Sequence, residues 1–298
     1  MHIIDTDPAL VSFSLERLQA QWAEMDAKLD ALPQEQDCPV HGAGCAKLDR
    51  QNMRGTEPLY TCPACESDKK AAAASKRRTE RLMSAGVPSD ALHATLENFD
   101  TSRPNVNPKY HTPEKFLAAA RALNDGRARN LILCGSPGIG KGHLAAAMAI
   151  KAYDGGKSIA WIDCFGLFRA VHAAYGDEKA DPRDITSGLS SVHLLVLDEI
   201  GLRQLPADGE EILFTILDAR HKAAKQTILL GNKTASEVKT WIGSRINDRL
   251  RSGGVVFCYG EWDSMRGSDA DGAGWLDADE LPVAPAKPKA KPEFKSCL

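Results

Sequence analysis

The sequence contains no apolar run approaching the ~20 residues that a membrane-spanning helix needs. Its first residues, Met1-His-Ile-Ile-Asp-Thr-Asp, carry no basic-then-apolar leader pattern. These two absences lead us to expect a cytoplasmic protein with no membrane partner. Neither sign of charge is in large excess: 37 Lys and Arg stand against 40 Asp and Glu, a formal net charge of -3. Blanket attraction to nucleic acid is thereby excluded, while local basic patches remain open. With 43% hydrophobic and 26% charged residues over 298 positions, one large or two small domains can be built. Cysteine is not scarce, but four of the eight cluster near the N-terminus and the rest lie in apolar stretches, a pattern of metal binding and buried thiols, not of a disulfide framework.

What is present begins with Asn130-Leu-Ile-Leu-Cys134, which runs into Gly135, Ser136, Pro137, Gly138, Ile139, Gly140, Lys141 and Gly142 and then into an alanine-rich helix from His143 to about Tyr153. Apolar strand, glycine loop and helix start, in that order, form the context of a phosphate-binding loop. The loop lets backbone N–H groups face phosphate oxygens, and the helix N-terminus adds a positive dipole end. Lys141 supplies a mobile cation for the β- and γ-phosphates of ATP or ADP. One absence here is chemical. Where a P-loop carries Ser or Thr to ligate Mg²⁺, the chain has Gly142, so either water fills that position or magnesium binds more weakly, and slow, switch-like hydrolysis is expected.

Ahead of this loop, Leu15, Leu18, Trp22, Met25, Leu29 and Leu32 form a heptad stripe within an amphipathic segment, residues 1–36. Residues 37–68 hold two knuckles, Cys38-Pro-Val-His41-Gly42 and Cys62-Pro-Ala-Cys65, giving four ligands for a closed structural Zn²⁺: Cys38, His41, Cys62 and Cys65, with Cys45 as a substitute for His41. Lys69, Lys70, Lys76, Arg77, Arg78 and Arg81 make a basic helical linker over 69–91, and punctuators at Ser84-Ala-Gly-Val-Pro and Ser102-Arg-Pro open the larger domain, 92–267. There, helices Pro113–Asn124, Phe165–Tyr175 and Gly209–Ala224 alternate with strands Lys157–Asp163, Val192–Asp198 and Thr227–Leu230, which predicts an α/β fold with a parallel sheet covered on both faces.

Asp198 and Glu199 leave a buried strand side by side, a poor structural choice unless something needs them. Asp198 suits a Mg²⁺ site and Glu199 a general base for water. Asn232 follows the next strand and suits the attacking water or the γ-phosphate. Arg245 and Arg249, four apart on one helical face, suit a transition-state phosphate in a neighbouring copy. Residues 268–298, rich in Gly, Asp, Pro, Ala and Lys, read as a disordered tail.

The P-loop, Leu194-Leu-Val-Leu-Asp-Glu-Ile-Gly201, Gly243-Ser-Arg-Ile-Asn-Asp-Arg249 and Trp262-Asp-Ser-Met-Arg266 together resemble the DnaC-type AAA+ helicase loaders, with knuckles similar to those of phage and bacterial members. The resemblance implies an AAA+ ATPase that holds a replicative hexameric DNA helicase through its zinc-bearing N-terminal region and self-associates with ATP into an oligomer or spiral on single-stranded DNA. It further implies Asp198 and Glu199 as the Walker B pair, Asn232 as sensor 1, Arg249 as the arginine finger with Arg245 beside it, and Arg266 as sensor 2. The helix carrying Phe165, Arg169, His172 and Tyr175 would face the DNA. Competing readings are an IstB-like transposition helper and a zinc-containing DNA-binding or adaptor module with an idle nucleotide site.

Overall fold

In the computed structural model, residues 20, 23–24, 26–49, 60–104, 107–177 and 179–265 are described. The chain divides into two compact units, Met1–Arg81 and Leu82–Leu298. Of the heptad stripe, Leu15, Leu18, Trp22 and Met25 lie outside the described residues, as do Arg266 and the segment 268–298, whereas Leu29 is helical and buried.

The first unit contains a three-stranded antiparallel sheet that the sequence did not announce: β1 Glu35–Cys38, β2 Gly42–Leu48 and β3 Tyr60–Thr61, in that order across the sheet. Strands reading EQDC and GAGCAKL carry no apolar alternation, so periodicity could not find them. The buried cluster of this sheet is Cys38, Ala46 and Cys62. Helix α1, Pro63–Ser84, carries the expected basic run but starts at the second knuckle, and only Leu82 is buried along it.

The second unit is a five-stranded sheet of β4 Asn130–Gly135, β5 Ile159–Asp163, β6 Leu194–Ile200, β7 Gln226–Gly231 and β8 Val255–Gly260, ordered β5-β6-β7-β4-β8 with every pairing parallel. Each central strand is buried on both faces, which is why it reads as a continuous apolar run. Alternate residues divide between two cores: Leu131, Leu133, Leu194 and Val196 pack with α2 Pro113–Asn124 and α3 Lys141–Asp154, joined by Leu82, Val87 and Phe99. Ile132, Cys134, Leu195 and Leu197 pack with α4 Cys164–Tyr175, α6 Gly209–Lys222 and α7 Ala235–Ser252. Helix α5, Pro182–Ser191, completes the fold.

Several boundaries move. The strands expected from Lys157 and Val192 begin at Ile159 and Leu194, and β6 continues through Asp198 and Glu199 to Ile200. Helix α6 stops at Lys222 because Ala224 takes a left-handed backbone, φ 53°. Helix α5 has no buried residue and was not read; edge strand β8, Val255-Val-Phe-Cys-Tyr-Gly260, is a continuous apolar run that was passed over although its signal is in the sequence. Arg220 is 1% exposed and was also unforeseen. Its Nε donates to Thr227 Oγ1 at 3.0 Å, its Nη1 to the carbonyls of Leu189 and Val192 at 2.8 and 2.9 Å, and its Nη2 to those of His193 and Gln226.

Candidate nucleotide site and metal cluster

At the carboxyl end of β4 the chain turns through Ser136–Gly140 into α3. Gly140 precedes the helix with φ 86°, and a Cβ there would lie 2.7 Å from the Phe99 ring, so the position demands glycine. Lys141 folds back over the loop, its Nζ donating to the carbonyls of Gly135 and Ser136 at 2.8 Å each. The Met265 amide donates to the Gly138 carbonyl at 2.8 Å, so the Trp262–Met265 segment is fastened to the loop. Ile139 is wholly buried beneath it and serves the core.

An open cleft of about 780 Å³ is lined by Pro137, Gly138, Gly140, Lys141, Gly142, His143, Asp198, Glu199 and Asn232. Residues from strands far apart in sequence therefore converge at the carboxyl ends of β4, β6 and β7, the place where ligands bind in open α/β sheets. Burial, opposed chiefly by the Glu199 amide that donates to Asp198 Oδ1 at 2.7 Å, holds the Asp198 carboxyl above the ordinary carboxylate range. A cation in the cleft would relieve that cost. Glu199 has φ 57°, uncommon for a residue with a side chain, at the point where the register of β6 with β7 breaks between Leu197 and Ile200. His143 Nε2 lies 2.7 Å from Asn98 Oδ1 and 3.1 Å from the Thr95 carbonyl. Nothing lies within 4 Å of a Cβ built on Gly142.

Pro88, Asp90, Ala91 and His93 also line the cleft. Pro88, Asp90 and Ala91 were read as linker and His93 only as the start of the larger domain, and the motif gives no signal for them: they arrive through a short 3₁₀ turn, Ser89–Ala91, ahead of helix α2. Arg245 and Arg249 do not line the cleft. Gly243, at φ 76°, breaks α7, and the arginines ride on the part that follows. The Arg245 guanidinium sits 3.9 Å over the Phe214 ring; Arg249 Nε donates to Asp218 Oδ1 at 2.6 Å and its Nη1 to Asp248 Oδ2 at 3.0 Å. On α4, Phe165 is 40% and Tyr175 66% exposed, with the Arg203 and Arg169 guanidinium groups 4.2 and 5.4 Å from the Phe165 ring centre. His172 pairs with Asp208 at 2.9 Å.

In the first unit Cys38, His41, Cys62 and Cys65 bring one ligand atom each into a group all within 4.8 Å. His41 Nδ1 lies 3.8, 3.6 and 3.2 Å from the sulfurs of Cys38, Cys62 and Cys65, and Cys38 Sγ lies 3.5 Å from Cys65 Sγ. The ligand bonds of tetrahedral zinc imply edges of roughly 3.5–3.8 Å, so this donor set fits the ion. Asp68 Oδ2, 3.1 Å from His41 Nε2, is the outer carboxylate that fixes which imidazole nitrogen faces a metal, a partner sequence reading overlooked. Cys45 lies beside the quartet, its Sγ 3.7 Å from Cys62 Sγ and its thiol directed at the Gly42 carbonyl at 3.1 Å, so it keeps its place as the substitute for His41.

Parallel sheet, P-loop and acidic strand define a P-loop nucleotide-binding protein. The family described as IstB-like ATP binding protein matches residues 66–250, and the chain belongs to it. It is 32% identical over 142 residues to the replicative helicase loader DnaC of Escherichia coli K12, across 48% of this chain and 58% of that one. To the loader DnaC of Buchnera aphidicola subsp. Acyrthosiphon pisum it is 33% identical over 166 residues, across 54% and 68%. The chain thus spans little more than half the length of the first of these relatives. A crystal structure of the DnaC helicase loader superposes with a TM-score of 0.46 at 20% identity, covering 57% of this chain and 99% of that one. No helix among the described residues is long and apolar enough to cross a membrane.

Proposed function

We propose that the chain is an ATP-dependent loader that binds a replicative hexameric DNA helicase and delivers it onto single-stranded DNA. One observation carries this reading. The cleft gathers Lys141, Asp198, Glu199 and Asn232 in a chain about a third identical to curated helicase loaders across its nucleotide-binding region. Lys141 would hold the β- and γ-phosphates, Asp198 would hold magnesium through its waters, and Asn232 would orient the attacking water. Bound magnesium would offset charge on the triphosphate. Glu199 would take the proton of that water, and Gly142, without a hydroxyl, would leave turnover slow. Arg249, with Arg245 beside it, would complete the site of the next copy, so that ATP favours an oligomer or spiral and hydrolysis releases it. Arg266, outside the described residues, would serve as sensor 2.

The N-terminal 36 residues and the zinc cluster of Cys38, His41, Cys62 and Cys65 would grip the helicase, with 69–91 as the basic linker, 92–267 as the ATPase domain and 268–298 as a tail. The exposed Phe165 ring, with the Arg169 and Arg203 guanidinium groups near it, supports contact with single-stranded DNA there. The decisive measurement is co-elution with the cognate helicase at micromolar concentration, expected with ATP and lost without it. No complex in either condition refutes the loader. The description of the matching family supports a second reading, a transposition helper. Retention by the transposase in place of the helicase would select it.

A further inference from the structure

Helices α6 and α7 meet along two rungs, each set by residues one turn apart. Phe214 and Asp218 stand on α6, and Arg245 and Arg249 face them from α7. Arg245 stacks on the Phe214 ring, while Arg249 Nε is fastened to Asp218 Oδ1 at 2.6 Å. The second Asp218 oxygen meets Lys222 Nζ at 2.7 Å, and the arginine reaches the carboxylate through Nε at the first oxygen. Held to Asp218 through Nε, the guanidinium leaves its Nη edge out of that ion pair. The further contact of that edge, Nη1 to Asp248, is to a side chain 72% exposed, a rim ion pair that exchanges readily. Asp218 itself is only 13% exposed. Its geometry is therefore fixed by packing to a degree that Asp248 cannot match.

We propose that Asp218 is the positioning residue of the arginine that each copy offers to its neighbour's nucleotide: it clamps Arg249 by Nε so that the Nη pair presents a pre-set fork to the transferred phosphate. The inference rests on the reading of Arg249 as acting between copies. A planar fork gains its advantage from being oriented before the phosphate arrives, and a misplacement of about 1 Å can cost on the order of 100-fold in rate.

The test uses mixtures of full-length variants. Asp218→Asn, close in shape but uncharged, is expected to lower kcat roughly 10- to 100-fold while the nucleotide Kd stays within about twofold, because its own cleft is untouched. Mixing it with Glu199→Gln, whose site is dead but whose arginine is intact, is expected to restore hydrolysis at the Asp218→Asn sites. Asp218→Glu should recover part of the loss alone. An Arg249→Ala and Glu199→Gln mixture provides the reference. Recovery in the reference without recovery in the Asp218→Asn mixture overturns the positioning role alone, as does a wild-type kcat for Asp218→Asn. No recovery in the reference overturns the reading of Arg249 and this inference with it. Asp218→Ser in the same mixture replaces the asparagine variant if that variant does not fold.

Discussion

Residues 35–62 bury Cys38, Ala46 and Cys62 against one another, whereas the unit beginning at Leu82 buries apolar clusters on both faces of a five-stranded sheet. The two regions therefore draw their order from different sources. In the second, burial of side chains from β4, β6 and β7 drives folding, and the cleft at the strand ends is a by-product that exists before any nucleotide binds. Among the described residues the first has too little apolar area to fix three short strands, and a metal held by Cys38, His41, Cys62 and Cys65 would supply the cross-link. One site is housed by a fold, and the other would hold its fold together.

The sharpest way to break this comparison is metal removal. A strong chelator, or Cys62→Ser, should abolish hydrogen-exchange protection across 35–48 while leaving nucleotide affinity within about twofold, since ligation is folding energy in such modules. Protection that survives in metal-free protein would refute it. Next in size is Glu199→Gln, which addresses the housed site alone. Hydrolysis should fall between about 100- and 10,000-fold, with zinc content and nucleotide binding unchanged. A variant as active as the wild type would favour an idle site and the adaptor reading.

How far sequence reading reached follows the same division. The P-loop, the acidic pair after Leu197 and the parallel sheet were legible because buried strands write continuous apolar runs and phosphate loops demand glycine at fixed places. The metal quartet was legible because ligand spacing is chemical, yet the sheet around it was not, since β1 and β2 carry no alternation. Arg220 was illegible for another reason. An arginine in an amphipathic helix reads as surface, and only the tertiary fold shows its fork among the carbonyls of Leu189, Val192, His193 and Gln226. Burial lowers its pKa to about 10, so it stays charged at neutral pH. Arg220→Met strands those acceptors and should destabilise the second unit by about 3–5 kcal/mol. A two-transition melt would show it: only the nucleotide-stabilised transition should drop, and a fall in the other would place the arginine's influence wrongly.

The smallest expected effect concerns Gly142, and it asks whether the housed site is weak by fold or by one missing atom. A Cβ there meets nothing within 4 Å, and the position already lies in the first turn of α3, so a side chain needs no rearrangement. Threonine is if anything a slightly better helix residue than glycine, by about 0.3 kcal/mol, so stability should be level or a little higher. What Gly142→Thr adds is a hydroxyl at the edge of the cleft that holds Lys141 and Asp198. The Mg²⁺ concentration for half-maximal nucleotide binding should then fall on the order of tenfold, and Gly142→Ala, which adds the carbon without the oxygen, should leave it where it was. Equal Mg²⁺ dependence for threonine and alanine would mean that Asp198 and water already satisfy the ion, and that the missing hydroxyl does not set the rate of turnover.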